Sequence, residues 1–227
     1  MMMWNPMFLL FIAPAVILGI WAQFRVKSTY AAAQRMAAPL SGAAAARHIL
    51  DSAGLQNIDI EQVPGHLSDH YDPRHKVLRL SPEVYQSRSL AAVGIAAHES
   101  GHALQDAKAY APLVIRNAAV PAAGFGSGAG MLLLILGVVF NFGPLLLLGI
   151  VLFGFVVFFQ VVNLPVEFNA SNRAKAQLVG LGIVPSDQMV YVNKVLNAAA
   201  LTYVAATLQA VMTLLYYIMI YTSGNRR

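Results

Sequence analysis

His98-Glu99-Ser100-Gly101-His102 is the stretch of this chain best equipped for chemistry. Two histidines four residues apart lie on one face of a helix, so both imidazoles can reach a single ion. Glu99 lies one step round from His98, beside such an ion rather than on it, where a carboxylate can take a proton from water. The chain has no cysteine, which excludes a thiolate zinc site, a Cys nucleophile and a disulfide framework. Any metal must then be held by His and carboxylates, and the motif makes Zn2+ the expected ion. A catalytic zinc usually has three protein ligands and one open position, so a third donor is needed. Glu167 is the candidate. It is the first charged residue after 50 uncharged ones, in Leu164-Pro165-Val166-Glu167-Phe168-Asn169-Ala170-Ser171. An ionisable residue at the end of an apolar span is a functional candidate, and a simple interfacial anchor is the competing reading.

The elements that must position these residues are legible around them. Ser89 to about Ala109 reads as one helix, buried by the small apolar run Leu90–Ala97. Ala43 to Ala53 reads as another, with Gly54 as its stop. Asn57–Val63 and Lys76–Leu80 alternate as short strands, with Pro64-Gly65 as a turn between them. Ser81-Pro82-Glu83 opens a short helix. Segment 25–116 holds all six histidines and eight of the ten acids.

Composition places this polar segment in a lipid setting. Of 227 residues, 58% are hydrophobic and 11% charged, against roughly 25% charged in a soluble domain. This rules out a disordered chain and argues against an ordinary soluble globule, so the expected partner of the apolar surface is a lipid bilayer. The net charge is +5, but the bases form no run and no aromatics interleave with them, so no nucleic-acid partner is expected. Met7–Phe24 is long enough to span, with Trp4 and Trp21 near its ends, and the lack of a basic residue in Met1–Pro6 favours a retained span over a cleaved signal. As one helix the 50 uncharged residues would be about 75 Å long, more than twice the hydrocarbon core, so they must fold back. Asn141-Phe142-Gly143-Pro144 is the turn, giving spans at about 119–140 and 145–163, and the Gly-rich start at Gly124–Gly130 suits close packing. Leu201–Tyr221 is the core of a fourth span, with Tyr216, Tyr217 and Tyr221 as an aromatic belt. Segment 25–116 carries ten Lys and Arg and segment 164–194 three, which puts both in the cytoplasm, and only Arg226 and Arg227 run against this.

The residues also resemble a known family. Arg47–Leu50, Val63-Pro64-Gly65-His66-Leu67-Ser68-Asp69-His70-Tyr71-Asp72-Pro73-Arg74, Leu78–Pro82, Ala97–Gln105 and Leu164–Phe168 together resemble the YugP-like bacterial membrane zinc metallopeptidases. More distantly the chain is similar to the HtpX and CAAX-prenyl-protease type, in which the motif is followed after two spans by a Glu ligand in an E-x-x-A-D pattern. Glu167 and Ala170 match that pattern, but Ser171 replaces the Asp, and Asp106 is then a candidate to supply the missing carboxylate behind the ligands. The resemblance implies a strand edge within 66–80 that pairs with extended substrate. His70 or Tyr71 would donate to the oxyanion there, unless the stretch is an ordinary polar turn. His66, His70, His75, Asp69 and Asp72 are a lesser candidate for a second metal site, His48 reads as a surface or packing residue, and Arg173 lies off the face of Glu167.

The expected architecture is a mainly α membrane protein with about four transmembrane helices and a small α+β, gluzincin-like zinc domain on the cytoplasmic face. Its parts are span one at 1–24, a zinc-peptidase segment at 25–116, a transmembrane hairpin at 117–163, a cytoplasmic helix with the third ligand at 164–197 and span four at 198–222. The expected activity is that of a zinc metalloendopeptidase of the bacterial plasma membrane, acting on protein or peptide substrates, with His98, His102 and Glu167 as metal ligands and Glu99 as catalytic base. The alternatives are a non-catalytic membrane scaffold with a structural or vestigial zinc site, and a protease whose zinc motif lies inside a span.

Overall fold

A computed structural model describes residues 6–224 of the chain. Trp4, Arg226 and Arg227 lie outside the described residues. The chain is mainly helical, with one small sheet, and divides into two compact units.

The first unit comprises 1–22, 114–165 and 201–227. It contains most of the apolar length of four helices long and apolar enough to cross a membrane. These are α1 (Pro6–Gln34), the pair α5 (Ala111–Phe125) and α6 (Met131–Val139) joined through a π-helical turn at Gly126–Gly130, α7 (Gly143–Gly180) and α8 (Met189–Gly224). The expected turn is present. Asn141 adopts φ 51°, and Asn141 N–H and Phe142 N–H donate to the carbonyls of Val138 and Gly137, which closes α6 with a Schellman motif. The expected close packing of the Gly-rich segment is also seen. A Cβ at Gly126 would lie 2.3 Å from the Leu152 carbonyl oxygen, and one at Gly137 would lie 2.6 Å from Leu146 N. The aromatic belt needs correcting. Tyr216 and Tyr217 are 1% and 3% exposed, and the Tyr216 ring packs against Phe8 at 4.9 Å and Phe11 at 5.8 Å. Their ring area is spent on the helix core with Leu134, Leu146 and Phe153.

The second unit comprises 23–113 and 166–200. Within it lie α2 (Gly42–Ser52), β1 (Asp59–Gln62), β2 (His70–Asp72), β3 (Val77–Leu80), α3 (Pro82–Gln86) and α4 (Leu90–Ala107). Ser41 and Ser89 cap α2 and α4, each accepting from the N–H three residues on, and Gly54 at φ 76° ends α2 as expected. The strand reading needs correcting. β1 and β3 pair in parallel, and β2, which alternation did not reveal, lies antiparallel to β3 at the sheet edge, in the order β1-β3-β2. A parallel pair requires a long connection, and here 63–76 makes an excursion that contributes β2. α4 is buried on two sides. Ala92, Ala96 and Ala103 pack with Leu50, Leu78 and Leu80, while Leu90, Val93 and Leu104 pack with Leu178, Val192 and Leu196. Its small residues let the neighbours approach from both directions.

Two boundaries also differ from the sequence reading. α7 runs unbroken from the uncharged stretch through Pro165 to Gly180, so Glu167 sits mid-helix rather than at a helix start. α1 likewise continues ten residues past Phe24.

Candidate metal centre

α4 supplies His98, Glu99 and His102, and α7 supplies Glu167. Oε2 of Glu167 lies 3.3 Å from Nε2 of His98 and 3.5 Å from Nε2 of His102. The three donor atoms all fall within 4.8 Å of one another. The imidazoles are set nearly perpendicular, with centroids 4.8 Å apart. Oε2 of Glu167 is buried and makes no hydrogen bond among the described residues. A buried carboxylate oxygen left unpartnered is costly. Tetrahedral donors about 2.1 Å from a zinc ion stand about 3.4 Å apart, so these side chains fit the ion that the donor set calls for.

The charges reinforce one another. Burial opposes the Glu167 carboxylate, but contact with His102 and then His98 outweighs it and holds the group well below the ordinary range. Burial likewise opposes a charged His102, and Glu167 and Glu99 overcome it and raise its pKa. Burial pushes the Glu99 carboxyl up, with the two imidazoles opposing.

Contact between α4 and α7 depends on Gly101. A Cβ there would lie 2.5 Å from the Ala170 carbonyl oxygen. Glycine between the two histidines therefore brings α7 close enough for Glu167 to meet both rings, a role that the five-residue motif alone did not reveal.

Behind the donors lies a hydrogen-bonded layer. Nε2 of Gln105 donates to the Val166 carbonyl at 2.8 Å and to Asn169 Oδ1 at 3.0 Å, and Nε of Arg173 donates to the same Oδ1 at 2.7 Å. A backbone carbonyl can only accept and a guanidinium can only donate, so both amides have one allowed orientation. Oε1 of Gln105 must then face Nδ1 of His102, 3.0 Å away, which puts the proton on Nδ1 and the lone pair on Nε2. Ser171 Oγ lies 3.1 Å from Nδ1 of His98.

Asp106 does not back the ligands. It accepts from the Tyr71 hydroxyl at 2.7 Å and pairs with Lys76, because one helical step from Gln105 turns it toward the sheet. Ser171 and Gln105 fill the positions behind the histidines. The former is the residue that departs from the distant pattern, and the latter ends the matched stretch Ala97–Gln105. The candidate oxyanion donors are engaged elsewhere, Tyr71 on Asp106 and His70 on the Ser68 carbonyl. His66 pairs with Glu83 and His75 with Asp72, so the candidates for a second metal site have separate partners. Arg173 is committed to Asn169 and lies over the Tyr110 ring, and His48 is exposed.

Three convergent donors on two helices, in a chain with four membrane-length helices, are the equipment of a membrane zinc peptidase. The chain belongs to the family described as "Putative neutral zinc metallopeptidase", whose model matches residues 8–222. It is 46% identical, over 221 residues covering 96% of this chain and 98% of the relative, to the "Putative membrane protease YugP" of Bacillus subtilis (strain 168). No solved structure matches.

Proposed function

We propose that this protein is a zinc-dependent metalloendopeptidase of the bacterial plasma membrane that cleaves membrane or membrane-associated proteins at the cytoplasmic face. The observation that carries this reading is the convergence of His98, His102 and Glu167, with the buried Glu99 carboxyl electrostatically coupled to all three. His98, His102 and Glu167 would hold Zn2+, which supplies Lewis-acid activation of water and of the scissile carbonyl. Glu99 accepts a proton from the attacking water on a carboxylate oxygen. As the C–N bond breaks, it delivers that proton to the leaving amine nitrogen. Its carboxylate accepts no hydrogen bond from a described residue, which leaves it free for this transfer. β2 is an edge strand whose Tyr71 reaches α4 one turn beyond His102, so its outer edge is where an extended substrate would pair.

The cytoplasmic orientation rests on the ten and three basic residues of 25–116 and 164–194. A scaffold role would need a closed structural site with a fourth protein ligand, and among the described residues three donors converge. A zinc motif inside a span is disfavoured, since α4 is not one of the four membrane-length helices. The test is Glu99→Gln in the purified full-length protein. Zinc should remain bound while proteolysis falls by about 10²–10⁴-fold, and activity at the wild-type level would refute the reading.

A further inference from the structure

We propose that Tyr71 is a positioning residue that fixes the substrate-pairing edge of β2 against the zinc-motif helix, an inference that rests on the peptidase reading above. Its main chain and its side chain take different parts. The Val63 N–H donates to the Leu80 carbonyl, which turns the Leu80 main chain toward β1. Main-chain groups alternate sides along a strand, so those of Leu78 also face β1, while those of Val77 and Arg79 face β2. The antiparallel pairs His70–Arg79 and Asp72–Val77 are therefore the hydrogen-bonded ones, and Tyr71–Leu78 is not. The N–H and C=O of Tyr71 point away from β3, to the open side of the sheet. An extended peptide laid there gains two hydrogen bonds at that residue. Pro73, two residues on, has no N–H to extend the ladder. The register of the peptide thus depends on where Tyr71 sits.

The side chain sets that place. Tyr71 lies opposite Leu78, on the face of the sheet that packs with α4. Its hydroxyl donates to Asp106 Oδ2 at 2.7 Å, the one hydrogen bond from β2 to α4 among the described residues. The neighbouring carboxylates bind within the sheet and its exit, Asp72 on Arg79 and Asp69 on Ser81. Asp106 stands four residues past His102 on the same helix, about 6 Å along its axis. The pairing edge and a metal ligand are thereby tied to one rigid element.

Burial, and then Asp106, raises the pKa of the phenol, so it remains a donor at neutral pH. Lys76 meets the same carboxylate from the turn between β2 and β3, with its side chain 52% exposed. It touches neither strand edge nor metal ligand in doing so. Loss of the phenol leaves the edge groups in place but lets them shift against the metal. Binding should survive and alignment should suffer, since a displacement of about 1 Å can cost about 10²-fold.

The experiment follows cleavage of fluorescently labelled β-casein by the full-length, zinc-loaded protein in detergent, with zinc per chain and Tm recorded for each variant. Tyr71→Phe should lower kcat per bound zinc by about 10–100-fold and leave KM within about three-fold. Asp106→Ala should give the same loss, and it reads the contact from the other side if Tyr71→Phe does not fold. Tyr71→Phe/Asp106→Ala should lose no more than either change alone. Asp106→Asn, which keeps an acceptor for the phenol, should recover most of the rate. Lys76→Gln, which removes only the ion pair, should match wild type. Wild-type kcat in Tyr71→Phe, or a loss that appears only in KM or only through lost zinc, overturns the positioning role. Cleavage at the wild-type rate in Glu99→Gln refutes the peptidase reading itself, whereas cleavage that needs Glu99 and not Tyr71 refutes this inference alone.

Discussion

Gln105→Leu tests whether the layer behind the ligands sets the metal centre. Gln105 is fully buried and makes three hydrogen bonds, one of which accepts the Nδ1 proton of His102. Leucine fills a similar volume and makes none. His102 Nδ1–H then loses its acceptor, and the ring is free to rotate or to change tautomer, either of which turns the Nε2 lone pair away from Glu167. Loss of such a partner typically weakens metal binding by about 10–100-fold, or about 1.4–2.7 kcal/mol. The Val166 carbonyl keeps its own helix bond, and Asn169 keeps Arg173, so the cost to folding falls mainly on the orphaned Nδ1–H, at about 1–3 kcal/mol. Gln105→Glu separates the two effects. It retains an acceptor for Nδ1–H but gives up both donated bonds, so zinc affinity should stay within a few-fold of wild type while the Tm falls. The assay is zinc retained per chain across a chelator titration, with Tm recorded in parallel. Wild-type retention in Gln105→Leu would refute the reasoning.

Glu167→Gln should lose zinc to mild chelation that leaves wild type loaded, because a neutral amide oxygen is a much poorer donor than a carboxylate, and Glu167→Asp should be intermediate. Unchanged zinc content in Glu167→Gln would move the third ligand elsewhere. Reporter fusions after Ser41 and after Ser186 should both read as cytoplasmic, and opposite readings would break the proposed topology. Asp72 provides a pH test. Hydrogen bonds from His75 and Arg79 hold its carboxyl well below the ordinary 3.8, so its contribution is present above that value and is lost as pH falls below it. The Tm gap between wild type and Asp72→Asn should be open at neutral pH and close as pH drops below about 4, and a gap constant across that range would contradict the assignment.

Periodicity and charge gaps exposed most of what positions the site. The cap at Ser89, the Gly54 stop, the Asn141 turn and the 50-residue uncharged stretch each follow from local chemistry, so each is readable from neighbouring residues. The candidate third donor was legible for a related reason, since one carboxylate at the end of so long an apolar stretch carries a cost that only a role offsets. What stayed hidden depends on contacts far apart in the sequence. β2 has three residues, too few to show alternation; the resemblance implied a strand edge within 66–80, but which residues form it and their antiparallel pairing with β3 follow only from the fold. Tyr216 looks interfacial by type and is buried because Phe8 and Phe11, some 200 residues earlier in the chain, supply its partners, and the Tyr217 ring packs on that of Tyr216. Gly101 reads as filler until the Ala170 carbonyl is placed against it, and the choice between Gln105 and Asp106 behind His102 turns on one helical step.

Charge balance gives a physical reason for Ser171 where the distantly similar pattern has an acid. The centre brings together two carboxylates, Glu99 and Glu167, at a site where burial already raises one of them. With a divalent cation in place the three charges sum to zero. An aspartate behind His98 would add an uncompensated negative charge in a setting where an unpaired buried ion costs several kcal/mol. A hydroxyl and an amide hold both Nδ1 atoms without adding charge. They raise imidazole basicity less than a carboxylate would, and the shortfall is offset by rigidity. Gln105 is fixed at three points, and Asn169, one of those points, is itself held by Arg173. The groups that touch the imidazoles are therefore uncharged and are anchored on α7, the helix that also carries Glu167, so anything that shifts α7 against α4 at Gly101 moves the third donor and the support of His102 together.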